Sequence, residues 1–537
     1  MMKKAIKKLL AALLAVAMVC AMAIPAFAYN PGETEEDLNK NHGYIAFQIF
    51  TGVISKDNPK LSDVDWGKHI TKPDDFLKEL KLAPTIGNEF KDADTPQDVL
   101  AVISQWSDSD DDSIAFARFV CHYLYSNGDP ESSIVGGGGA IKIPEPGYYL
   151  IVDNIDIHED DFYHAYNSFL LVNVTQGEYN VIINHKVVKP TVEKEVHDND
   201  NNDISSAGNN DGWGSSADHA INEKFQFRLI AKLPASKDNG RAYDYYDKYT
   251  VCFNDTLSKG ITFDNLDRVE ITNGDGGDPK EITDYTLDKD LHEAGLPSSF
   301  KLSIDDVKTC VPDLNKGATI TVTYTAHLND KAAVNTADGA SNGENKNSVY
   351  LQYSNNPRIN TSLDWTPTSE VRVYTYQLNN TKYHDDDNSN NVLAGAGFRL
   401  YSDKACNEAQ EIKLKKNTDG TYSRYFGTEA GDEMISGNDG QFNVKGLDAG
   451  TYYLKETKTP DGYSACDKTE IVISATHDVY HVSLSGNLSN KIINKKAGGI
   501  TLPSTGGIGT TLFYVVGGGL MVAAIVLLVT KKRMENK

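Results

Sequence analysis

In Thr319-Ile-Thr-Val-Thr-Tyr324, β-branched or aromatic apolar side chains alternate with threonines. Because successive side chains of a β-strand point to opposite faces, this period of two is typical of a strand with one buried face. The runs Tyr179-Asn-Val-Ile-Ile183 and Val349-Tyr-Leu-Gln-Tyr353 are similarly rich in strand formers, and clusters of Gly, Asn and Asp separate such runs. The sequence therefore predicts a mostly β chain built of antiparallel, immunoglobulin-like β-sandwich domains.

Both ends of the chain have the pattern of targeting segments. Residues 1–28 begin with a lysine-rich stretch, continue with an apolar run and end in Ala26-Phe27-Ala28, which predicts a secretory signal peptide. Residues 511–530 contain no charged side chain, and a basic cluster follows them in residues 531–537. This order predicts a C-terminal transmembrane helix with a cytoplasmic basic tail, which leaves the rest of the chain outside the cell.

The length of 537 residues suggests about three domains between these ends. New strands begin near Lys186 and near Arg372, on either side of a middle region. We expect sandwiches that stack into a rod, with one helical stretch near residues 97–126. The predicted segments are an N-terminal domain at 29–186, a middle domain at 187–372, a third domain at 373–496 and a linker at 497–510.

Charge and composition exclude several classes of function. With 52 Lys and Arg against 75 Asp and Glu, the chain has a formal net charge of −23, and such a surface repels phosphate backbones. No H-E-x-x-H motif occurs, and the glycine run at residues 136–139 lacks the Lys-Ser/Thr that follows in a P-loop. We therefore expect neither nucleic-acid binding nor an enzyme, and no cofactor or metal ion.

Five cysteines remain once the predicted signal peptide is removed, namely Cys121, Cys252, Cys310, Cys406 and Cys466. An odd number with wide spacing matches neither a zinc motif nor a disulfide framework. Cys252 with Cys310, and Cys406 with Cys466, are candidate cross-strand pairs.

The pentapeptide Leu502-Pro503-Ser504-Thr505-Gly506 stands directly before the apolar segment and its basic tail. This ordered arrangement resembles the LPxTG sorting signal of Gram-positive surface proteins. The resemblance implies that a sortase cysteine attacks the carbonyl of Thr505, releases Gly506 onward and passes the acyl group to an amine. It also implies a secreted, cell-wall location with peptidoglycan and sortases, both pilus and housekeeping, as partners.

The end of the first region carries Val181-x-Ile183-Asn184-His185-Lys186. It lies where Gram-positive backbone pilins, which the chain resembles, carry the motif W-x-x-x-V-x-V-Y-P-K. The strand alternation and the final lysine are shared, whereas Gly177 stands in place of Trp and Asn184-His185 in place of Tyr-Pro. The resemblance implies that Lys186 is the polymerisation lysine, with Lys189 and Lys194 as nearby alternatives.

The third region resembles the Cna protein B-type module of the same pilins. The resemblance rests on Lys382, Ala394-Gly-Ala-Gly-Phe398, Gly450-Thr-Tyr-Tyr-Leu-Lys-Glu456 and Ile492-Ile-Asn494. It implies an internal isopeptide bond between Lys382 and Asn494, with Glu456 as the assisting acid.

The middle region resembles the fimbrial isopeptide-forming module. The matching strings are Pro190-Thr-Val-Glu-Lys194-Glu-Val196, Phe253-Asn-Asp255-Thr-Leu-Ser-Lys-Gly260, Tyr324-Thr-Ala-His-Leu328 and Asn347-Ser-Val-Tyr-Leu-Gln-Tyr-Ser-Asn355. The resemblance implies a bond from Lys194 to Asn347 with Asp255 as the assisting acid, and Asn355 is the alternative acceptor. Such a bond needs a neutral amine and a protonated acid, and burial favours both because it lowers the pKa of lysine and raises that of a carboxyl group.

The resemblance as a whole implies a major pilin that sortase joins from Thr505 to a lysine of the next copy, in a wall-anchored pilus that serves adhesion. Its partners would then include other copies of itself, minor pilins and host surface ligands. The alternative is a monomeric wall-anchored adhesin that binds a host ligand through its N-terminal domain.

Overall fold

The computed structural model describes most of the chain between residues 42 and 497. The described residues are 42–55, 58–107, 110–127, 134–137, 140–155, 164–166, 168–175, 179–183, 187–199, 211–237, 240–289, 299–336 and 343–497, with 520, 521, 524 and 531. The predicted signal peptide, Lys186 and the pentapeptide at 502–506 lie outside them, as does nearly all of the predicted span at 511–530. Among the described residues, no helix has both the length and the apolar character needed to cross a bilayer.

The first unit is one seven-stranded antiparallel sheet with the order β6-β5-β1-β3-β4-β7, and β2 also pairs with β1. Its strands are β1 (His42–Ser55), β2 (Asn58–Trp66), β3 (Ile134–Gly137), β4 (Ala140–Ile143), β5 (Gly147–Ile155), β6 (Leu170–Val174) and β7 (Tyr179–Ile182). Its helices are α1 (Pro73–Lys81), α2 (Pro96–Ile103) and α3 (Asp111–Asn127).

The helices of the first unit cover one face of this sheet. Phe76 and Leu80 of α1 are four residues apart, so both lie on the same helix face, and they join one core with Phe47 of β1. Tyr44 of β1 points to the opposite face and belongs to a second buried cluster. The first unit therefore has a helix-covered sheet where the sequence predicted a sandwich, and α2 and α3 lie in the predicted helical stretch near residues 97–126.

The middle unit consists of two facing sheets. One has the order β10-β20-β18-β12-β16-β15 with β19 on β18, and the other has the order β14-β13-β17-β11-β8-β9. The strands are β8 (Thr191–His197), β9 (Trp213–Gly214), β10 (Ser216–Asp218), β11 (Lys224–Leu233), β12 (Val251–Leu257), β13 (Ile261–Asn273), β14 (Lys280–Glu281), β15 (Thr286–Asp288), β16 (Phe300–Ile304), β17 (Ala318–Leu328), β18 (Lys346–Ser354), β19 (Leu363–Trp365) and β20 (Ser369–Tyr374).

The core of the middle unit lies between its two sheets. In β17 the alternate residues Ile320, Val322 and Tyr324 are fully buried, and they pack in one cluster with apolar residues of β11 and β12. The period of two in residues 319–324 therefore marks the buried face of this strand.

The third unit also has two sheets, with the orders β24-β25-β27-β21-β32-β29 and β23-β22-β28-β30-β31, and β26 pairs with β22. Its strands are β21 (Tyr376–His384), β22 (Gly397–Tyr401), β23 (Glu411–Ile412), β24 (Leu414–Lys416), β25 (Tyr422–Arg424), β26 (Met434–Ile435), β27 (Val444–Leu447), β28 (Gly450–Lys458), β29 (Tyr463–Ser464), β30 (Thr469–His477), β31 (Val482–Gly486) and β32 (Ser489–Lys496). Short 3-10 turns complete the described chain.

The first and last strands of the third unit are neighbours. β21 and β32 pair in parallel, with Lys382 opposite Ile492 and His384 opposite Asn494. Side chains two residues apart on a strand point to the same face. Asn494 therefore shares a face of β32 with Ile492, the residue that pairs with Lys382.

The prediction of a mostly β chain is confirmed. The five cysteines are all free thiols.

Candidate crosslinking sites

Four strands of the middle unit each place one polar side chain in its apolar core. They are Lys194 on β8, Asp255 on β12, Tyr324 on β17 and Asn347 on β18, here called the middle-unit quartet. Each occupies an inward position of its strand, and each is at most 2% exposed. Lys194 and Tyr324 come from one sheet and Asp255 and Asn347 from the other, so the quartet spans the sandwich.

The quartet is held together by hydrogen bonds. The Lys194 ammonium contacts Asp255 Oδ2 and lies 3.1 Å from the Tyr324 hydroxyl. This hydroxyl lies 3.2 Å from Asp255 Oδ1 and accepts a 2.6 Å hydrogen bond from Asn347 Nδ2. Tyr324 therefore links the lysine, the acid and the amide in one network.

Burial shifts both ionisable groups of the quartet toward their neutral forms. It lowers the pKa of Lys194 to about 8, although the Asp255 carboxylate opposes this shift. It also raises the pKa of Asp255, against the effect of the Lys194 ammonium. Burial penalises the charged forms of both groups. Transfer of the proton from Lys194 to Asp255, which gives a neutral amine and a neutral acid, therefore costs less free energy here than in water.

The third unit contains a second buried set, Lys382 on β21, Glu456 on β28 and Asn494 on β32, here called the third-unit trio. Lys382 Nζ donates to Asn494 Oδ1 at 2.5 Å, and Asn494 Nδ2 donates to Glu456 Oε1 at 2.7 Å. Lys382 Nζ also lies 3.8 Å from Glu456 Oε1. The lysine and the asparagine are fully buried, and burial lowers the pKa of Lys382.

The trio brings an amine within hydrogen-bond distance of an amide. Because folding already holds the two groups together, a reaction between them would not pay the entropy of bringing them together. Glu456 Oε1 accepts a hydrogen bond from the amide nitrogen, so a carboxyl group lies directly beside this nitrogen.

Asn355, the alternative acceptor in the middle unit, lies beyond the far end of β18 from Asn347. Its Oδ1 accepts from Ser362 Oγ at 2.8 Å, and its carbonyl accepts from the Tyr166 backbone N–H. The residue that hydrogen-bonds within the quartet is Asn347. Lys189 is partly buried, and Lys186 and the 502–506 pentapeptide lie outside the described residues.

Sequence reasoning did not assign two residues that contact these sites. Tyr324 was recognised only as part of a motif string, yet its hydroxyl contacts the other three members of the quartet. Cys466 donates its backbone N–H to Glu456 Oε2 at 2.9 Å. An aromatic residue at an inward strand position signals core packing, so no sequence pattern reveals that its hydroxyl bridges polar groups.

Two parts of the chain match known families. Residues 379–487 match the SpaA prealbumin-like fold domain, and residues 494–536 match the LPXTG cell wall anchor motif. No curated protein matches the chain significantly.

The chain is also similar in structure to several solved pilins. The T6 backbone pilin of serotype M6 Streptococcus pyogenes has 14% identity, with 87% of this chain and 98% of that chain covered and a TM-score of 0.42. The full-length major pilin SpaD of Corynebacterium diphtheriae has 18% identity, coverages of 68% and 81%, and a TM-score of 0.40. The pilus 2b backbone protein of group B streptococcus has 25% identity, coverages of 53% and 97%, and a TM-score of 0.37.

The anchor match makes this chain a cell-wall-anchored surface protein, as its pentapeptide and flanking segments predicted. Together with the prealbumin-like domain, it supports a sortase-assembled structural subunit of a pilus, the class that the sequence predicted.

Proposed function

We propose that this protein is the shaft-forming subunit of a covalent pilus, in which sortase joins Thr505 of one copy to Lys186 of the next. The observation that carries the proposal is the presence of two buried lysine–acid–asparagine sets in successive units of a wall-anchored chain. A structure that makes its own covalent links suits a fibre outside the cell, where no cellular machinery repairs it.

Each internal bond would form by attack of a lysine amine on an asparagine carboxamide. The lysine Nζ forms a bond to Cγ of the asparagine, the bond from Cγ to Nδ2 breaks, and the nitrogen leaves as ammonia. The acid carries the proton: Glu456 contacts the departing Nδ2 of Asn494 directly. In the middle unit, Tyr324 stands between Asp255 and Asn347 and relays the same proton.

Intact-mass measurement tests the internal bonds. The folded wild-type chain should be lighter than its sequence mass by two ammonia molecules, whereas Asp255→Asn and Glu456→Gln should each be lighter by only one. Asp264→Asn, at a carboxylate that contacts His327 in the middle unit, and Glu470→Gln, at an exposed position of β30, are matched controls that should keep both losses. A wild-type mass equal to the sequence mass would remove the proposed bonds.

Polymerisation has a separate test. Wall material released with muramidase should show, on an immunoblot, a ladder that survives boiling in SDS. Lys186→Ala and loss of the pilus sortase should each abolish the ladder, and Lys189→Ala should retain it. Loss of the ladder only in Lys189→Ala would move the acceptor to Lys189, and a single band in every strain would favour the monomeric adhesin.

A further inference from the structure

The connection between β10 and β11, which ends in Glu223, contacts the third unit closely. The Ile221 backbone N–H donates to the carbonyl of Gly446 at 2.9 Å, and Asn222 Nδ2 donates to the carbonyl of Arg424 at 2.9 Å. Gly446 has φ 75°, and a Cβ at this position would lie 2.4 Å from the Ile221 side chain. Only glycine allows this approach, so the two units meet here in tight contact.

His219 at this contact has one ring nitrogen with a partner and one without. The ring is 2% exposed and stacks on Phe225 with centroids 4.2 Å apart. Its Nε2 lies 2.7 Å from the carbonyl oxygen of His197, which can only accept, so Nε2 carries the proton. Nδ1 is buried and has no hydrogen-bond partner among the described residues. A neutral imidazole whose other N–H is fixed by a carbonyl is the usual arrangement of a metal-ligating histidine.

Two carboxylates from different units approach this ring. A ring nitrogen of His219 and one carboxylate oxygen each from Glu223 and Asp448 lie within 4.8 Å of one another. Glu223 Oε2 accepts from the Ala220 N–H at 3.1 Å, and Asp448 Oδ1 accepts from the Ala449 N–H at 3.0 Å. These hydrogen bonds orient the two carboxylates.

A cleft of about 520 Å³ lies between the two units. Glu223 and Asp448 line the cleft, together with Arg424, whose Nη1 is 3.7 Å from Glu223 Oε2. A cation can therefore reach the two carboxylates from solvent without unfolding either unit.

A neighbouring cluster of similar composition surrounds His477. His477 lies between Asp198 and Asp218, at 3.7 Å and 3.3 Å from its Nε2. Its Nδ1 is 2.9 Å from Ser216 Oγ, so both ring nitrogens already have partners. This cluster has no counterpart of the unpartnered Nδ1 of His219.

We propose that His219, Glu223 and Asp448 bind one divalent transition-metal ion of the zinc class, and that this ion ties the middle unit to the third unit. One imidazole with two carboxylates suits zinc, which completes its four-coordinate shell with water. Zinc bonds to these atoms are about 2.0–2.2 Å long, so the three side chains close by small rotations on binding. This site departs from the sequence prediction of no metal, because its ligands come from segments more than two hundred residues apart.

Zinc binding by the full-length chain, purified without a polyhistidine tag, tests the proposal. Equilibrium dialysis followed by elemental analysis should find one zinc ion per wild-type chain. Glu223→Gln and Asp448→Asn, which keep the shape and the hydrogen-bond acceptor of each side chain, should each weaken binding at least tenfold. Zinc should raise the unfolding midpoint of the wild-type chain and leave that of both variants unchanged.

His327→Asn is the matched control, because His327 contacts Asp264 in a comparable histidine–aspartate pair on the middle unit. It should bind zinc as the wild type does. Absence of bound zinc in the folded wild-type chain overturns the proposal. Equal binding by wild type, Glu223→Gln and Asp448→Asn also overturns it, since the ion would then be held elsewhere, for example by the free cysteine thiols.

Discussion

Lys194 and Lys382 are lysines whose side chains lie in apolar cores, each with an acid and an asparagine beside it. These residues could be predicted from the sequence because each lies within a short stretch that resembles a known motif. It could not choose between Asn347 and Asn355, since both flank the same strand, and it missed Tyr324. Which polar groups meet across a sandwich depends on the register of both sheets, and register is a property of the whole fold.

Removing the Tyr324 hydroxyl should weaken the middle unit before any bond forms. In Tyr324→Phe, Asn347 Nδ2 loses the acceptor that it contacts at 2.6 Å, and a buried polar group without a partner costs about 1–3 kcal/mol. We expect a lower free energy of unfolding, measured by denaturant titration. We also expect slower release of ammonia from the middle unit, measured by time-resolved mass spectrometry. Tyr285→Phe, at a partly exposed tyrosine, should change neither quantity.

The pH dependence of stability should reveal the buried amine when the bond cannot form. In Asn347→Ala, Lys194 keeps its free amine, with a pKa of about 8 in the folded chain against 10.5 for an ordinary lysine. Between these values the unfolded chain binds a proton that the folded chain does not, so the free energy of unfolding should rise with pH from about 8 to about 10.5.

Asp255 affects stability in a different pH range. Its pKa is raised in the folded chain, so above pH 3.8 the folded chain binds this proton more strongly than the unfolded chain does. The contribution of Asp255 to the free energy of unfolding therefore falls as the pH rises through that range. Denaturant titrations across the alkaline range measure the lysine effect. The added change Lys194→Met should remove the alkaline rise, and a rise of equal size in that double variant would contradict this assignment.

At the scale of elements, the sequence predicted the strands and the helical stretch near residues 97–126, where α2 and α3 lie, but not helix α1. A period of two identifies a strand whatever its partners, as in β17, where every second side chain is buried. The helices α1 and α2 are short and separated by loops, so each gives only two turns of periodic pattern. That is too little to predict that helices rather than a second sheet cover the first unit.

Helix α2 depends on a capping box that can be removed singly. Thr95 accepts the Asp98 N–H through its side chain, and Asp98 accepts the Thr95 N–H in return. Thr95→Ala should therefore lower the free energy of unfolding by about 1 kcal/mol, measured by denaturant titration. Ser104→Ala, at the other end of the helix, should stay within about 0.5 kcal/mol of the wild type.

At the scale of the whole molecule, the proposed crosslink between Lys382 and Asn494 closes a loop across nearly the entire third unit. The two residues are 112 positions apart. By the loop-entropy relation used for disulfides, restricting such a loop in the unfolded chain is worth about 4–5 kcal/mol. Lys382→Met should lower the unfolding midpoint of the third unit accordingly, in differential scanning calorimetry.

Lys491→Met is the control for that change, because Lys491 lies on β32, the strand that pairs with β21, and its side chain is mostly exposed beside Asp387. It should leave the calorimetric midpoint unchanged. An equal loss in both variants would assign the effect to β32 itself rather than to a bond at Lys382.

The parallel pairing of β21 with β32 has a mechanical consequence. A pull on the two ends of the third unit draws the start of β21 and the end of β32 in opposite directions along their common axis. The six residue pairs from Asn379–Ser489 to His384–Asn494 are then loaded together in shear, and no pair can open before the others as in a zipper. The third unit should therefore resist extension as a mechanical clamp, with Lys382 and Asn494 inside the loaded segment.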